Sequence, residues 1–197
     1  MKNENKSLVF YILYSLFRSI SILILLLTFV LRFAVVDGPS MQNTLHDKDV
    51  ALITNYYPYF DEISDNEYIP FDFSLKQGDI VAIAPSNESD NEYNIDNAFI
   101  KRIIAVEGQT IGFDTENSAV YVDGKIIDEP YLSSSTLSGV EWEIPDVIPE
   151  DKVFVMGDNR TVSVDSRSIR IQLVDKKDII GKVQCVLYPF DRISYAY

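Results

Sequence analysis

Residues 8–31 read LVFYILYSLFRSISILILLLTFVL, 24 residues interrupted by one charge, Arg18. About 20 apolar residues cross the hydrocarbon of a bilayer, where the backbone must satisfy its own hydrogen bonds as a helix. The run predicts one membrane-spanning helix over 13–33, a short cytoplasmic tail at 1–12 and a separate outer domain at 34–197. Arg18 and Arg32 can extend their stems to the two interfaces. Lys2, Lys6 and Arg18 on the short N-terminal side favour that end facing the cytoplasm. A cleavable secretory leader is the competing reading of the uncharged stretch 19–31, but RFAVVDG beyond it offers no clean small-x-small cut site. The expected location is therefore the cell membrane, single-pass, with the larger domain on the outer face.

Charge narrows the partners. Up to Arg32 the cations are Lys2, Lys6, Arg18 and Arg32 against the single acid Glu4. Removing these from the chain's 17 cations and 30 acids leaves 13 and 29 in 33–197, a net of −16. So acidic a domain repels nucleic acid, and Lys101-Arg102 and Lys176-Lys177 are too short to make a phosphate-binding stripe. No nucleic-acid partner is expected. Cys185 is alone, so no intrachain disulfide forms, and its run VQCVLYPF marks it as a buried strand thiol. His46 is the only histidine, beside Asp47 and Asp49 in what reads as a solvated turn, so neither a metal nor another cofactor is expected.

The outer domain reads as mainly β. Short Val-, Ile-, Tyr- and Phe-rich runs occur at 49–57, 78–85, 98–106, 119–127, 152–157 and 181–190, separated by Gly, Pro, Asn and Asp. Asp123-Gly124 between two such runs is a strong hairpin signal. Residues 171–181 have room for one helical turn. The expected fold is a folded antiparallel β-sheet or barrel-like domain behind one N-terminal transmembrane helix, with a small β subdomain inserted at about 112–149. The polar stretches 61–70 and 86–97 read as exposed loops, 133–135 as linker, and Trp142 as a pin for the irregular piece 131–150.

A hydroxyl nucleophile needs a base. Ser40, in GPSMQNTL (38–45), stands just beyond the apolar segment. Nothing supports His46 as its base. A neutral lysine serves if it is desolvated, and AFIKRIIAV embeds Lys101 in a strand. Alternation puts Lys101 with Phe99, Ile103 and Ala105, and Ile100 with Arg102, Ile104 and Val106; neither face is plainly the inner one. Directly after another strand, GDNRTVSVDSR (157–167) interleaves acids and arginines in a pattern that suits either a solvated loop or a hydrogen-bonded scaffold.

GPSMQNTL, LKQGDIVAI, FIKRIIAVEGQTI and VFVMGDNRTVSVDSR, in that order after one anchor, resemble the type I signal peptidases, in their Gram-positive form. The resemblance implies Ser40 as nucleophile and Lys101 as general base of a Ser/Lys dyad, with Ser163 orienting the lysine. It implies an Asp158–Arg102 pair, an Asp165–Arg167 pair, and Met41 lining the substrate cleft. The backbone N–H of Ser40, with that of Gly38 or a water, would form the oxyanion hole. Two positions depart from the family: Asn43 stands where proline is usual, and Gly38 where some relatives have serine. The function implied is removal of signal peptides from exported preproteins at the bilayer. An extended substrate would pair with the edge of FAVVDG or FIKRII and place a small side chain against Val36, Met41, Leu45 and Ile100. The competing classes are a repressor-type self-cleaving Ser/Lys protease, which would be soluble and carry a DNA-binding domain, and an inactive surface-anchored β-rich binding module.

Overall fold

The structure is a computed structural model of the 197-residue chain and describes residues 2–55, 74–84, 98–132 and 137–195. The predicted loops 61–70 and 86–97 and the serines 133–135 lie outside the described residues. The chain divides into two compact units, Met1–Arg32 and Phe33–Tyr197.

The first unit is helix α1, Lys2–Val30, of 29 residues. Its described side chains are exposed and apolar on every side, Phe10, Phe17, Leu23 and Ile24 among them, so it has no single buried stripe. Among the described residues no helix is long and apolar enough to cross a membrane. The side chains of residues 1–8, Leu26, Leu27 and Phe29 lie outside that description. The helical segment also ends earlier than the expected 33. Residues Leu31–Val35 leave the helix to hydrogen-bond as an edge strand.

The second unit is mainly antiparallel β-sheet. In chain order the strands are β1 (Leu31–Val35), β2 (Val50–Asn55), β3 (Ile80–Ile83), β4 (Phe99–Val106), β5 (Ile111–Asp114), β6 (Ala119–Val122), β7 (Lys125–Ile126), β8 (Lys152–Met156), β9 (Val174–Asp175), β10 (Ile179–Tyr188) and β11 (Ser194–Tyr195). Eight of them form one sheet in the order β1-β2-β10-β3-β4-β8-β9, with β11 on β10. The other three, β5-β6-β7, form a separate small sheet. Asp123 and Gly124 turn its hairpin with φ of 52° and 73°, the positive pair a two-residue hairpin turn requires. The helical turn expected in 171–181 is a 3₁₀ turn at Lys176–Asp178.

Strand β4 explains why periodicity could not choose its inner face: both faces are covered. Ile100 packs with Met41, Leu45, Ile80 and Ala82 in one core cluster, while Phe99 and Ile103 pack with Val81, Val155 and Ile179 in a second. A register shift between Ile103 and Ala105 then breaks the alternation, and Ile104 and Ala105 join a third cluster with Val120, Ile148, Phe154 and Met156. That third cluster ties the inserted sheet to β8. Trp142 pins the segment beyond it, its Nε1 donating to the Ser166 carbonyl at 2.7 Å. Cys185 lies on β10, half-buried rather than buried.

Candidate active site

The loop 37–48 between β1 and β2 carries Ser40. It is closed at its neck by two backbone bonds, Val36 N–H to the Asp49 carbonyl and Lys48 N–H to the Val36 carbonyl, both 2.8 Å. Inside it, Thr44 and Leu45 N–H groups both donate to the Met41 carbonyl at 2.9 Å, winding a helix-like turn. Met41 and Leu45 are buried in the first core cluster and fasten the turn from below. Gly38 adopts φ +87°, a left-handed conformation open to glycine, and its N–H donates to Asp47 Oδ1 at 2.9 Å.

Strand β4 brings Lys101 to this turn. Its Nζ donates to Ser40 Oγ at 3.1 Å and to the Ile100 carbonyl at 2.9 Å, and the residue is 3% exposed. Burial pulls the amine down from 10.5 to about 8, against the opposing pull of the Asp165 and Asp158 charges. A hydroxyl and a lysine that holds a neutral fraction near pH 8 thus meet at hydrogen-bond distance. Chemically, that contact allows proton transfer from Oγ to Nζ.

Loop 157–167 supplies the frame. Arg102 grips Asp158 through Nε (2.9 Å) and Nη2 (2.8 Å), with both side chains 1% exposed, and its Nη1 donates to the Gly78 carbonyl at 2.8 Å. Asp165 accepts from Arg167 at 2.8 Å and 2.9 Å and from the Gly157 N–H at 2.9 Å. The Asn159 N–H donates to the Ser40 carbonyl at 2.9 Å, joining this loop to the Ser40 turn. The ion pairs expected at Asp158–Arg102 and Asp165–Arg167 are therefore both formed, and they are buried scaffold rather than solvated loop.

Other sequence-based expectations need correction. Ser163 does not bond to Lys101; its Oγ is buried and, among the described residues, has no hydrogen-bond partner. The Gly38 N–H, expected to serve an oxyanion, is occupied by Asp47. Val36, Met41 and Leu45 are core residues at 4%, 1% and 0% exposure, so they do not open onto a substrate-facing surface. The half-buried residues against that cluster are Ala34, Ala84, Ala98 and Ile100. FIKRII is not an edge along its length either: β4 lies between β3 and β8, and its pairing to β8 starts at Arg102. His46 Nδ1 lies 4.0 Å from Asp49.

Sequence reasoning missed Thr44, whose hydroxyl donates to Asp158 Oδ2 and so ties the turn to the Arg102 pair. It also missed Gly157: a Cβ there would lie 2.3 Å from Ser163 Oγ and 2.5 Å from the Ser40 carbonyl oxygen. Thr44 could have been found as a hydroxyl close to Ser40; the Gly157 packing is invisible in one sequence.

An antiparallel sheet that brings a desolvated amine within hydrogen-bond distance of a hydroxyl suits serine-peptidase chemistry. The chain belongs to the signal peptidase family, peptidase S26, whose model matches residues 9–188. It is 32% identical to "Signal peptidase I" of Bacillus amyloliquefaciens over 98% of this chain and 95% of that protein. It is 34% identical to "Signal peptidase I S" of Bacillus subtilis (strain 168), over 86% of this chain and 84% of that one. A solved signal peptidase I from Enterococcus faecalis V583 is 26% identical, covering 55% of this chain and 96% of that one, with a TM-score of 0.44.

Proposed function

We propose that this chain is a membrane-anchored serine endopeptidase that removes N-terminal signal peptides from exported preproteins with a Ser40/Lys101 dyad. The observation that carries the reading is the 3.1 Å contact between Lys101 Nζ and Ser40 Oγ, made by an amine that burial has lowered to about 8. Neutral Lys101 takes the Ser40 proton as Oγ attacks the scissile carbonyl. The resulting ammonium gives that proton to the leaving amine, and an ester to Ser40 remains. A water, deprotonated by the same amine, then attacks the ester and frees the enzyme. The Ser40 N–H is the backbone donor for the developing oxyanion.

The substrate fits as an extended segment. Phe99–Lys101 pair with β3 on one side and precede the start of β8 pairing on the other. A peptide strand laid along that open side places alternate side chains over Ala34, Ala84, Ala98 and Ile100. A floor of three alanines and one isoleucine suits small side chains.

For anchoring, the support is the sequence itself. The run 8–31 is 24 residues broken by one charge, Arg18, where about 20 apolar residues cross a bilayer. The cationic short end then faces the cytoplasm and the β domain lies on the outer face. Cleavage of a synthetic peptide carrying an Ala-x-Ala site, wild type against Ser40→Ala, tests the reading. Equal cleavage by both would refute the dyad.

A further inference from the structure

One short segment touches all three elements that carry the site. Residues 129–132 follow β7 and contact the nucleophile turn, strand β4 and loop 157–167. The Leu132 carbonyl accepts from Asn43 Nδ2 at 3.2 Å. The Tyr131 ring lies over the Arg102 guanidinium, Cζ to centroid 3.9 Å, and its hydroxyl donates to Glu129 Oε1 at 2.9 Å. Glu129 in turn accepts from both terminal nitrogens of Arg160, and the two side chains are 6% and 1% exposed. Arg160 Nε then reaches the Gly157 carbonyl at 3.2 Å, beside Ser40 and Ser163.

A buried two-pronged carboxylate–arginine pair is geometrically strict, because only close, well-aligned contacts offset the cost of desolvating both charges. A guanidinium stacked on an aromatic face is held likewise. The inserted sheet therefore leads into a segment fixed at both Arg102 and Arg160. Its remaining tie goes to Asn43, the position where the resemblance expects proline. Without a ring to stiffen it, the turn gains an external hydrogen bond instead.

We propose that residues 129–132 form a strap that sets the nucleophile turn, with Asn43, Tyr131 and Glu129 as positioning residues for Ser40 and Lys101. The proposal rests on the Ser40/Lys101 reading and adds a role for the inserted sheet: it orders the turn that presents the nucleophile.

The test uses the full-length chain in detergent micelles and the Ala-x-Ala peptide. Asn43→Ala is expected to lower kcat about tenfold with KM within about twofold, the pattern of a displaced reacting group. Asn43→Pro, which stiffens the same turn through its own ring, is expected to keep kcat within about twofold of wild type. Tyr131→Phe keeps the ring over Arg102 but drops the bond to Glu129, and should cost about threefold in kcat; with Asn43→Ala the losses should fall short of multiplying, because both loosen one segment. Unchanged kcat in Asn43→Ala, equal loss in Asn43→Pro, or fully multiplicative losses would each overturn the strap. Wild-type cleavage that persists in Ser40→Ala would overturn the dyad reading itself, and the strap with it.

Discussion

Lys101 Nζ lies 3.1 Å from Ser40 Oγ while its own residue is 3% exposed. Desolvation is the leading reason the amine falls from 10.5 to about 8; Asp165 and Asp158 hold it from falling further. If the neutral amine is the base, kcat/KM should climb roughly tenfold per pH unit below 8 and level off above it. A pH–rate profile on the Ala-x-Ala peptide reads this directly. Lys101→Arg, whose guanidinium stays charged, should be inactive throughout; an activity maximum near pH 5 would contradict the assignment.

The same depression costs stability. A lysine whose amine titrates at about 8 when folded and at 10.5 when exposed destabilises the fold most below pH 8, where both states are protonated. The penalty fades as pH rises from 8 towards 10.5, because the unfolded chain still binds the proton that the folded one has released. Lys101→Met removes the charge and keeps the volume. It should raise stability at pH 7 by up to about 3 kcal/mol while abolishing cleavage. Thermal unfolding at pH 7 and pH 10 checks it: the gain should shrink at the higher pH.

How much of this was readable beforehand differs by element. The β-rich domain was legible because Val, Ile, Tyr and Phe runs alternate with turn residues, and Asp123-Gly124 could scarcely be anything but a hairpin. Lys101 and Ser40 stood out as an isolated strand lysine and an isolated serine, yet only the resemblance paired them, since 61 positions separate them. The inner face of β4 was not legible because both faces are buried and a register shift interrupts the alternation. The pocket was misread for a related reason: apolar residues flanking a nucleophile serve equally as floor or as wall. Met41 and Leu45 proved to be core. The Glu129–Arg160 pair joins residues 31 apart through an inserted sheet, and no local pattern announces such a contact.

Gly157 is required for space rather than for backbone freedom. A Cβ there would meet Ser163 Oγ at 2.3 Å, Ser163 Cβ at 2.5 Å and the Ser40 carbonyl oxygen at 2.5 Å, and the last of these is backbone. Gly157→Ala must push the Ser40 turn away from loop 157–167, breaking the bond from the Asn159 N–H to Ser40. A displacement of about 1 Å lowers rate on the order of a hundredfold. Steady-state kinetics should show that loss in kcat, with the β-sheet signal in circular dichroism retained.

Arg102 and Asp158 are both 1% exposed, so neither tolerates losing the other. Asp158→Asn leaves a guanidinium buried with its opposing charge removed, a change that typically costs about 3–5 kcal/mol. It also withdraws an anion that raises the Lys101 amine, so the pH–rate midpoint of the surviving enzyme should move below 8. Denaturant unfolding and the pH profile together separate the two effects. A midpoint moving to higher pH would contradict the charge argument.

Ser163 offers the sharpest contrast between stability and activity. Its Oγ is buried and, among the described residues, has no hydrogen-bond partner, a condition that costs about 1–3 kcal/mol. Ser163→Ala removes the hydroxyl without breaking any bond seen there, and should leave Tm unchanged or higher. Ser163 Oγ makes no bond to Lys101 here, so the orienting role that the resemblance implies would require Lys101 to turn towards it during proton transfer. On that account Ser163→Ala lowers kcat at least about tenfold, the scale of one lost orienting group in proton transfer, while KM stays put. A drop in Tm with kcat intact would make Ser163 a packing residue beside Gly157 and leave Lys101 to be aimed by the Ile100 carbonyl alone.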